Sequence, residues 1–461
     1  MVSAFLIGLG MCECYGICRL TMTAFDLMNI LILTYGSRGD VQPFVALGKG
    51  LAATGHNVSL ATSERFRTFV EAHGLSYAYM NDDLLSILDT PQGKSLIERS
   101  GSIVSMIAAG IALKKQLAPM QQTLVDDSWA AAMVSQPEII LFHPKAYAAP
   151  TIAHFLGIPA VLVLPFPMLV PTALQPAIGF AKIGSCGKYN RLTYTIVNRL
   201  LHASIAKSLR KLRTRHQLAP DHSRDLLHYP DGKPLSILHC FSPHVSPPPA
   251  DWPPESHVTG YWYLDEDNNW QPPPALTAFL QTGPAPVYIG FGSMAGRQPK
   301  RLAQIVLAAL ARANLRGIIA TGWGGLAVND VPDTVLMIDQ APHEWLFSRV
   351  AAVVHHGGAG TTAAGLRAGR PSVIVPFFGD QPFWGRRVHA LGAGPLPIVQ
   401  KKLTVDKLAN ALIQATTNAT IIDRAEAIGR QLQTEAGVEK AAAIIESLAA
   451  LHNKNQVQGY E

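Results

Sequence analysis

The segment His355-His-Gly-Gly-Ala-Gly-Thr-Thr362 decides how this chain is read. It follows an apolar run, Ala351–Val354, and leads into a helix-like stretch, Thr361–Ala368. Gly357, Gly358 and Gly360 let backbone approach a ligand closely, because no Cβ stands in the way. Thr361 and Thr362 open the helix, whose free N–H groups and positive end attract anions. His356 adds a side-chain donor. Together these suit a diphosphate. The pattern is not Walker A, which needs Gly-Lys-Ser/Thr, nor a G-x-G-x-x-G on a first strand. A tight strand-to-helix turn with a Thr cap would use the same residues.

Three neighbouring strings sit at comparable places. Pro376-Phe-Phe-Gly-Asp-Gln-Pro-Phe-Trp384 puts Asp380 and Gln381 just after an apolar run, Ser372–Val375. A carboxylate beside an amide can clamp vicinal hydroxyls through several directional hydrogen bonds. An Asx turn before Pro382 is the plainer alternative. Gly290-Phe-Gly-Ser-Met294 offers Ser293 to a phosphate, or is a Gly-Ser turn. Gln340-Ala-Pro-His343 follows the run Val335–Ile338, and its backbone could read a base edge.

Working outward, strands and helices alternate twice. Ile30–Leu33 reads as a strand, Pro43–Thr54 as a helix and Val58–Thr62 as a second strand. Ile139–Phe142 and Ala160–Leu164 flank a helix-like Ala146–Leu156. Eleven of the 33 prolines then fall between Pro243 and Pro286, a stiff linker. Alternation restarts with strands Val287–Phe291, Gly317–Thr321 and Val335–Ile338 and the helix Arg301–Ala313. Val405–Thr416, Ile421–Gln433 and Glu439–Leu451 are helical by period. Such alternation predicts α/β architecture with two doubly wound parallel sheets facing each other across a cleft. The expected divisions are residues 1–27, an extension; 28–245, a first domain; 246–284, the linker; and 285–461, a second domain carrying the C-terminal helices. Ligands in such sheets sit beyond the carboxyl ends of strands.

Composition removes several classes. With 461 residues, 48% hydrophobic and 15% charged, wholesale disorder is excluded. The net charge of +6 is spread without a dense basic block, so nucleic acid is not an expected partner. Five cysteines are no disulfide framework, and Cys12, Cys14 and Cys18 lack zinc-site spacing. A reduced, cytoplasmic protein is expected. Residues 1–27 lack a basic start and contain Glu13, unlike a secretory leader, and are expected to be dispensable. Pro150, Pro159, Pro165, Pro167, Pro171 and Pro176 break the apolar stretch 146–181, so it reads as strands and loop rather than a span. Arg199–Arg215 carries six basic residues and no acid around an apolar stripe. It is either a solvated helix with a core face or a contact for anionic lipid.

At this point the chain resembles the nucleotide-sugar-dependent glycosyltransferases of the GT-B fold, two Rossmann-like domains across a cleft. Gly36-Ser-Arg-Gly-Asp-Val-Gln-Pro43, His355–Gly369 and Pro376–Arg387 are most similar to the sterol 3β-glucosyltransferase branch. Related antibiotic-aglycone glycosyltransferases share much of this. The resemblance implies inverting, metal-independent transfer of glucose from UDP-glucose to a hydrophobic alcohol, most closely a sterol. Another lipid or a polyketide aglycone is the alternative acceptor. A non-catalytic nucleotide-sugar or lipid-binding protein is the alternative of another class.

The resemblance carries roles residue by residue. His356 would meet the donor diphosphate, with the loop and helix start at Gly358, Gly360 and Thr361 beside it. Asp380 and Gln381 would hold glucose hydroxyls, Gly292 and Ser293 would lie at the β-phosphate, and Gln340 and Ala341 at uracil. Ser37, Arg38 and Gly39 would face the donor, and Asp40 would be the catalytic base. His143, Phe166 and Met168 are expected on the acceptor side. Plant relatives have a Trp where Gln340 stands, a Glu where Ala364 stands, and a His base partnered by a buried Asp. Here Asp40 stands without such a histidine in sequence, with His143 and His154 as stand-ins. Asp40 beside Arg38 and before a helix is favoured in its charged form, which weakens it as a base; a helix cap is the plainer role. Asp265-Glu-Asp267 reads as an acidic turn, not a metal motif. No cofactor is expected, and peripheral membrane contact is open.

Overall fold

The computed structural model describes residues 27–89, 103–184, 186–223, 225–264, 270–292, 299–321 and 331–458. The chain starts β1 (Asn29–Leu33), α1 (Arg38–Ala53), β2 (Asn57–Ser63), α2 (Arg67–Glu71) and β3 (Ser76–Met80). It continues with α3 (Asp83–Asp89), α4 (Ile103–Ser135), β4 (Ile139–Phe142), α5 (Ala149–Leu156) and β5 (Ala160–Leu164). Next come α6 (Gly187–His216), β6 (Ser236–His239) and β7 (Ser256–Val258). The second half holds α7 (Pro274–Gln281), β8 (Val287–Gly290), α8 (Pro299–Ala313), β9 (Gly317–Ala320) and β10 (Val335–Ile338). After them stand α9 (His343–Phe347), β11 (Ala352–His355), α10 (Ala359–Arg367), β12 (Ser372–Ile374) and α11 (Gln381–Ala390). The tail is α12 (Val405–Thr417), α13 (Ala419–Gln433) and α14 (Gly437–Gln458).

The strands form two sheets. The first is ordered β3-β2-β1-β4-β5-β6-β7 and the second β10-β9-β8-β11-β12. Every pairing within them is parallel. The central strands β4, β5, β8 and β11 are buried throughout, which is why they read as unbroken apolar runs. Strand order reverses between β1 and β4 in one sheet and between β8 and β11 in the other. Crevices open at such reversals, beyond the carboxyl ends of the strands.

Domain divisions differ from the sequence reading in three places. β7 pairs with β6, so the first sheet reaches Val258, inside the expected linker. Three residues between prolines carry no alternation to reveal a strand. Leu276 of α7 packs with Tyr288, Leu346 and Phe347, so α7 belongs to the second domain. The last helix returns to the first domain: Ala441, Ala442, Ile445 and Ala449 share one cluster with Ile32, Phe44, Leu47 and Trp262. Gly50 lets α14 approach α1, since a Cβ there would lie 2.3 Å from Val438 Cγ1. His56 Nε2 and Glu446 Oε1 add a 3.2 Å contact. Period shows that a segment is helical, not which sheet it covers. The early extension, with Cys12, Cys14 and Cys18, and the Asp265-Glu-Asp267 turn lie outside the described residues.

Ile445 is fully buried in that shared cluster. Ile445→Ala should therefore lower stability by about 2–5 kcal/mol, read as a fall in the urea midpoint of the first domain. An unchanged midpoint would detach α14 from this core.

Candidate active site

The first sheet's reversal places the loop after β1 beside the loop after β4. α1 begins at Arg38, earlier than its apolar period indicates, with Ser37 as N-cap and Asp40 in the first turn. Asp40 is thus not the cap itself; its Oδ2 accepts the Ser37 N–H at 2.7 Å and the Ser37 hydroxyl at 2.9 Å. The Lys145 ammonium donates to the same oxygen at 3.0 Å. Oδ1 faces His143 Nε2 at 3.3 Å. The Lys145 backbone N–H donates to His143 Nδ1 at 3.2 Å, so the neutral ring carries its proton on Nε2 and gives it to Asp40. Gly36 has φ +146°, and a Cβ there would lie 2.2 Å from Asp40 Oδ2. Only a bare backbone turns here without displacing the carboxylate.

Asp40 and His143 are a pair with unequal access: the side chains are 21% and 5% exposed. Burial pushes the Asp40 carboxyl up, but Lys145 and His143 outweigh it and hold it well below the usual carboxylate range. Burial lowers the His143 pKa against the pull of Asp40. The open member is therefore an ionised carboxylate and the buried one a neutral imidazole. His154 lies exposed on α5 and shares no described contact with Asp40.

The second sheet's reversal carries the glycine loop. His355 ends β11 with Nδ1 accepting the Gly357 N–H at 3.1 Å. Gly357 has φ +89°, and a Cβ would lie 2.6 Å from Ile374. α10 starts after Gly358, and Thr362 N–H is its first described internal bond, to Gly358 O at 2.9 Å. The N–H groups of Ala359, Gly360 and Thr361 thus lack an intrahelical acceptor. A Cβ on Gly360 would meet open space, so an anion has room there. Gly292 stands opposite, its Cβ direction 3.7 Å from His356 Cε1. Ser293 lies outside the described residues.

Burial holds His356 neutral, its pKa lowered to about 4. His343 is also at about 4, through burial and then the Arg38 and His356 charges. Arg38 comes from α1, so the two loops face each other. Its Nε donates to Gln42 at 3.0 Å, and its guanidinium lies over Phe69. Asp380 precedes α11 and accepts Trp384 Nε1 at 2.9 Å. Burial raises its carboxyl to about 6; Asp40 adds to this and Lys145 opposes it. Gln381 is buried, and its oxygen accepts the Phe377 and Phe378 N–H groups at 2.8 and 3.2 Å. That commits the carbonyl to the loop and leaves the amide NH2 as the group able to meet a hydroxyl.

Other expected residues separate. Ser37 and Gly39 are exposed at the start of α1. Gln340 is exposed, and Ala341 packs against the cluster of Tyr288 and Phe347. Phe166 packs on the cluster that holds Phe241, Phe383 and Trp384. Met168 packs instead on the first domain's own core. Lys145 was missed by sequence reasoning; the signal was Phe142-His-Pro-Lys145 at the end of the strand that borders the reversal. Among the described residues no group of three or more His, Cys, Asp and Glu could hold a metal.

Comparisons with known proteins bear on the same regions. Residues 30–167 match the glycosyltransferase family 28 N-terminal domain, and residues 277–449 the erythromycin biosynthesis protein CIII-like C-terminal domain. A sterol 3-beta-glucosyltransferase of Arabidopsis thaliana is 36% identical over 440 residues, 94% of this chain and 67% of the relative. One of Aspergillus fumigatus is 35% identical over 90% of this chain and 29% of its own length. Among solved structures, the kitacinnamycin glycosyltransferase aligns with TM-score 0.67 at 19% identity, covering 92% of this chain and 99% of that one. The calicheamicin glycosyltransferase CalG4 aligns with TM-score 0.66 at 17% identity, covering 92% and 99%. VinC, solved with dTDP, gives 0.64 at 20%, covering 91% and 99%. These likenesses establish the GT-B fold. With two opposed reversal loops and a plant relative matched across two thirds of its length, the chain belongs to the sterol 3-beta-glucosyltransferase family of GT-B glycosyltransferases.

Proposed function

We propose that the protein transfers glucose from UDP-glucose, with inversion, to the hydroxyl of a sterol. What carries the reading is the pairing of an ionised, cleft-facing carboxylate on one domain with an unfilled helix N-terminus on the other. The diphosphate lies at α10 with His356 and the Gly292 loop, and the sugar meets Asp380 and Gln381. The acceptor lies against the apolar 165–180 segment, with Phe166 at its cleft end and Met168 behind. Its hydroxyl oxygen attacks C1 while the C1–O bond to the β-phosphate breaks. The proton passes to Asp40 Oδ1, which has one donor in the structure and a second lone pair. Asp40 is a weak base, so the proton leaves late and positioning supplies most of the advantage. The leaving diphosphate is neutralised by the helix end and raises the proton affinity of His356, so no metal is required. Another lipid or polyketide alcohol would use the same geometry.

A sterol dwells in membranes, and α6 supplies a matching surface. Leu192, Ile196 and Leu200 are exposed at four-residue spacing, with Leu174 and Ile183 also exposed in the segment before α6. Lys188 and Arg199 are exposed around them, while Arg191 pairs with Asp251. Further along, Ile205, Leu209 and Leu212 are buried, so the stripe in the basic segment is a core face. Arg213 and Arg215 pair with Asp221 and Asp126. The proposed contact is therefore the first half of α6 resting peripherally on anionic lipid. No described helix is long and apolar enough to cross a membrane.

Four outcomes follow. Asp40→Asn should abolish glucosylation of cholesterol with calorimetric UDP affinity intact, while His356→Ala should weaken UDP binding about tenfold or more. Full turnover in the first, or unaltered binding in the second, would displace that residue. Transfer assayed after complete chelation with EDTA should keep its rate, and its loss would refute metal independence. The protein should co-sediment with phosphatidylserine vesicles at low salt, and the double variant Lys188→Glu with Arg199→Glu should release it. Equal sedimentation of that variant would remove α6 as the contact.

A further inference from the structure

Lys145 belongs to none of the strings singled out in the sequence, yet it touches both members of the Asp40–His143 pair. Its backbone N–H fixes the imidazole tautomer, and its ammonium lies 3.0 Å from Asp40 Oδ2. The side chain is 51% exposed, where an ion pair adds little to the stability of a fold. Stability is therefore a poor reason for it. The turn beside it is shaped around it: a Cβ on Gly36 would fall 2.7 Å from Nζ. The cation also acts across the cleft. Asp380 feels Asp40 as a repelling charge and Lys145 as an opposing one.

We propose that Lys145 is a positioning residue of the transfer reaction, whose ammonium keeps Asp40 an aimed, ionised carboxylate and offsets its repulsion with Asp380 when both face one substrate. This rests on Asp40 being the base, as proposed above. The charged and titratable groups that face Lys145 among the described residues are Asp40 and His143 from its own domain and Asp380 from the other. His143 is neutral and Ser37 supplies only dipoles, so Lys145 is the cation beside Asp40. Without it, burial acts on Asp40 with only the His143 and Ser37 hydrogen bonds left to oppose it. The carboxyl's proton affinity then rises. A protonated Asp40 cannot accept the acceptor's proton, so activity is lost from the acid side.

The test compares wild type, Lys145→Met and Lys145→Arg as full-length proteins, with calorimetric UDP binding reporting that each is folded. kcat is followed against pH at saturating UDP-glucose and cholesterol, where bound glucose occupies Asp380. Lys145→Met should gain an acid limb at higher pH than any of wild type's, falling about tenfold per pH unit below it. Wild type and Lys145→Arg should hold level through that limb, because the guanidinium restores the charge. A carbon-13 titration of labelled aspartate carboxyls, with Asp40→Asn identifying the resonance, reads the same shift without turnover. Coincident profiles and titrations for Lys145→Met and wild type would overturn the proposal. So would an acid limb shared by Lys145→Arg. Loss of transfer in Asp40→Asn with an unmoved Lys145→Met removes Lys145 alone; full turnover in Asp40→Asn removes the base and Lys145 with it.

Discussion

An α-helix gathers about half a positive charge at its N-terminus, where its first N–H groups lack partners. This molecule sets one such end at each sheet reversal and treats them in opposite ways. α1 is filled from within: Asp40 lies in its first turn and accepts the Ser37 N–H. α10 has no acidic residue in its first turn, and Gly360 faces open space. The filled end holds an anion of the chain's own, and the unfilled one leaves N–H groups without an intrahelical acceptor, where the proposed diphosphate would be stabilised. Had α10 carried its own carboxylate, a diphosphate would be repelled. Had α1 lacked one, the cleft would hold two cationic ends and no proton acceptor.

The two domains are tied where the chain crosses twice. One crossing runs from β6 to Tyr263, and the other joins α13 to α14. The Ser242 hydroxyl and the Tyr261 N–H both donate to the Glu435 carboxylate, pinning the crossings together. Gly437 allows this, since a Cβ there would lie 2.3 Å from Tyr261 O. Arg387 of α11 donates to Val245 O from two nitrogens, at 2.9 and 2.7 Å. α11 begins directly after Asp380, so the proposed sugar clamp is fastened to the same line about which the domains would turn. α14 ends in the first domain's core, which makes that line a double strand of chain instead of a loose linker.

Much of this was legible in the letters, for physical reasons. Central strands of a parallel sheet are buried on both faces and announce themselves as apolar runs, as Ile139–Phe142 and Ala160–Leu164 do. The glycine loop was legible because a close backbone approach leaves few residue choices. β7 was not, being three residues between prolines, and α14 was placed in the wrong domain because periodicity carries no address. Asp40 was legible as an ionised carboxylate but His143 was not as its partner. The two are far apart in the chain and meet only because β1 and β4 pair in parallel, with Leu33 opposite Phe142.

That pairing decides which of the two groups is open to the cleft. A histidine base supported by a buried carboxylate works because the carboxylate stabilises the imidazolium that forms. Here the order of access is reversed: the carboxylate is open and the imidazole is buried, with both ring nitrogens engaged. A proton arriving at His143 would have to displace the Lys145 N–H and leave a charged ring out of water beside a lysine. A proton arriving at Asp40 meets a free lone pair and leaves a neutral acid. The buried imidazole is a fixed donor that aims the carboxylate, and the proposed reaction sends the proton to the residue with the lower affinity for it because that residue is the one with access to the cleft.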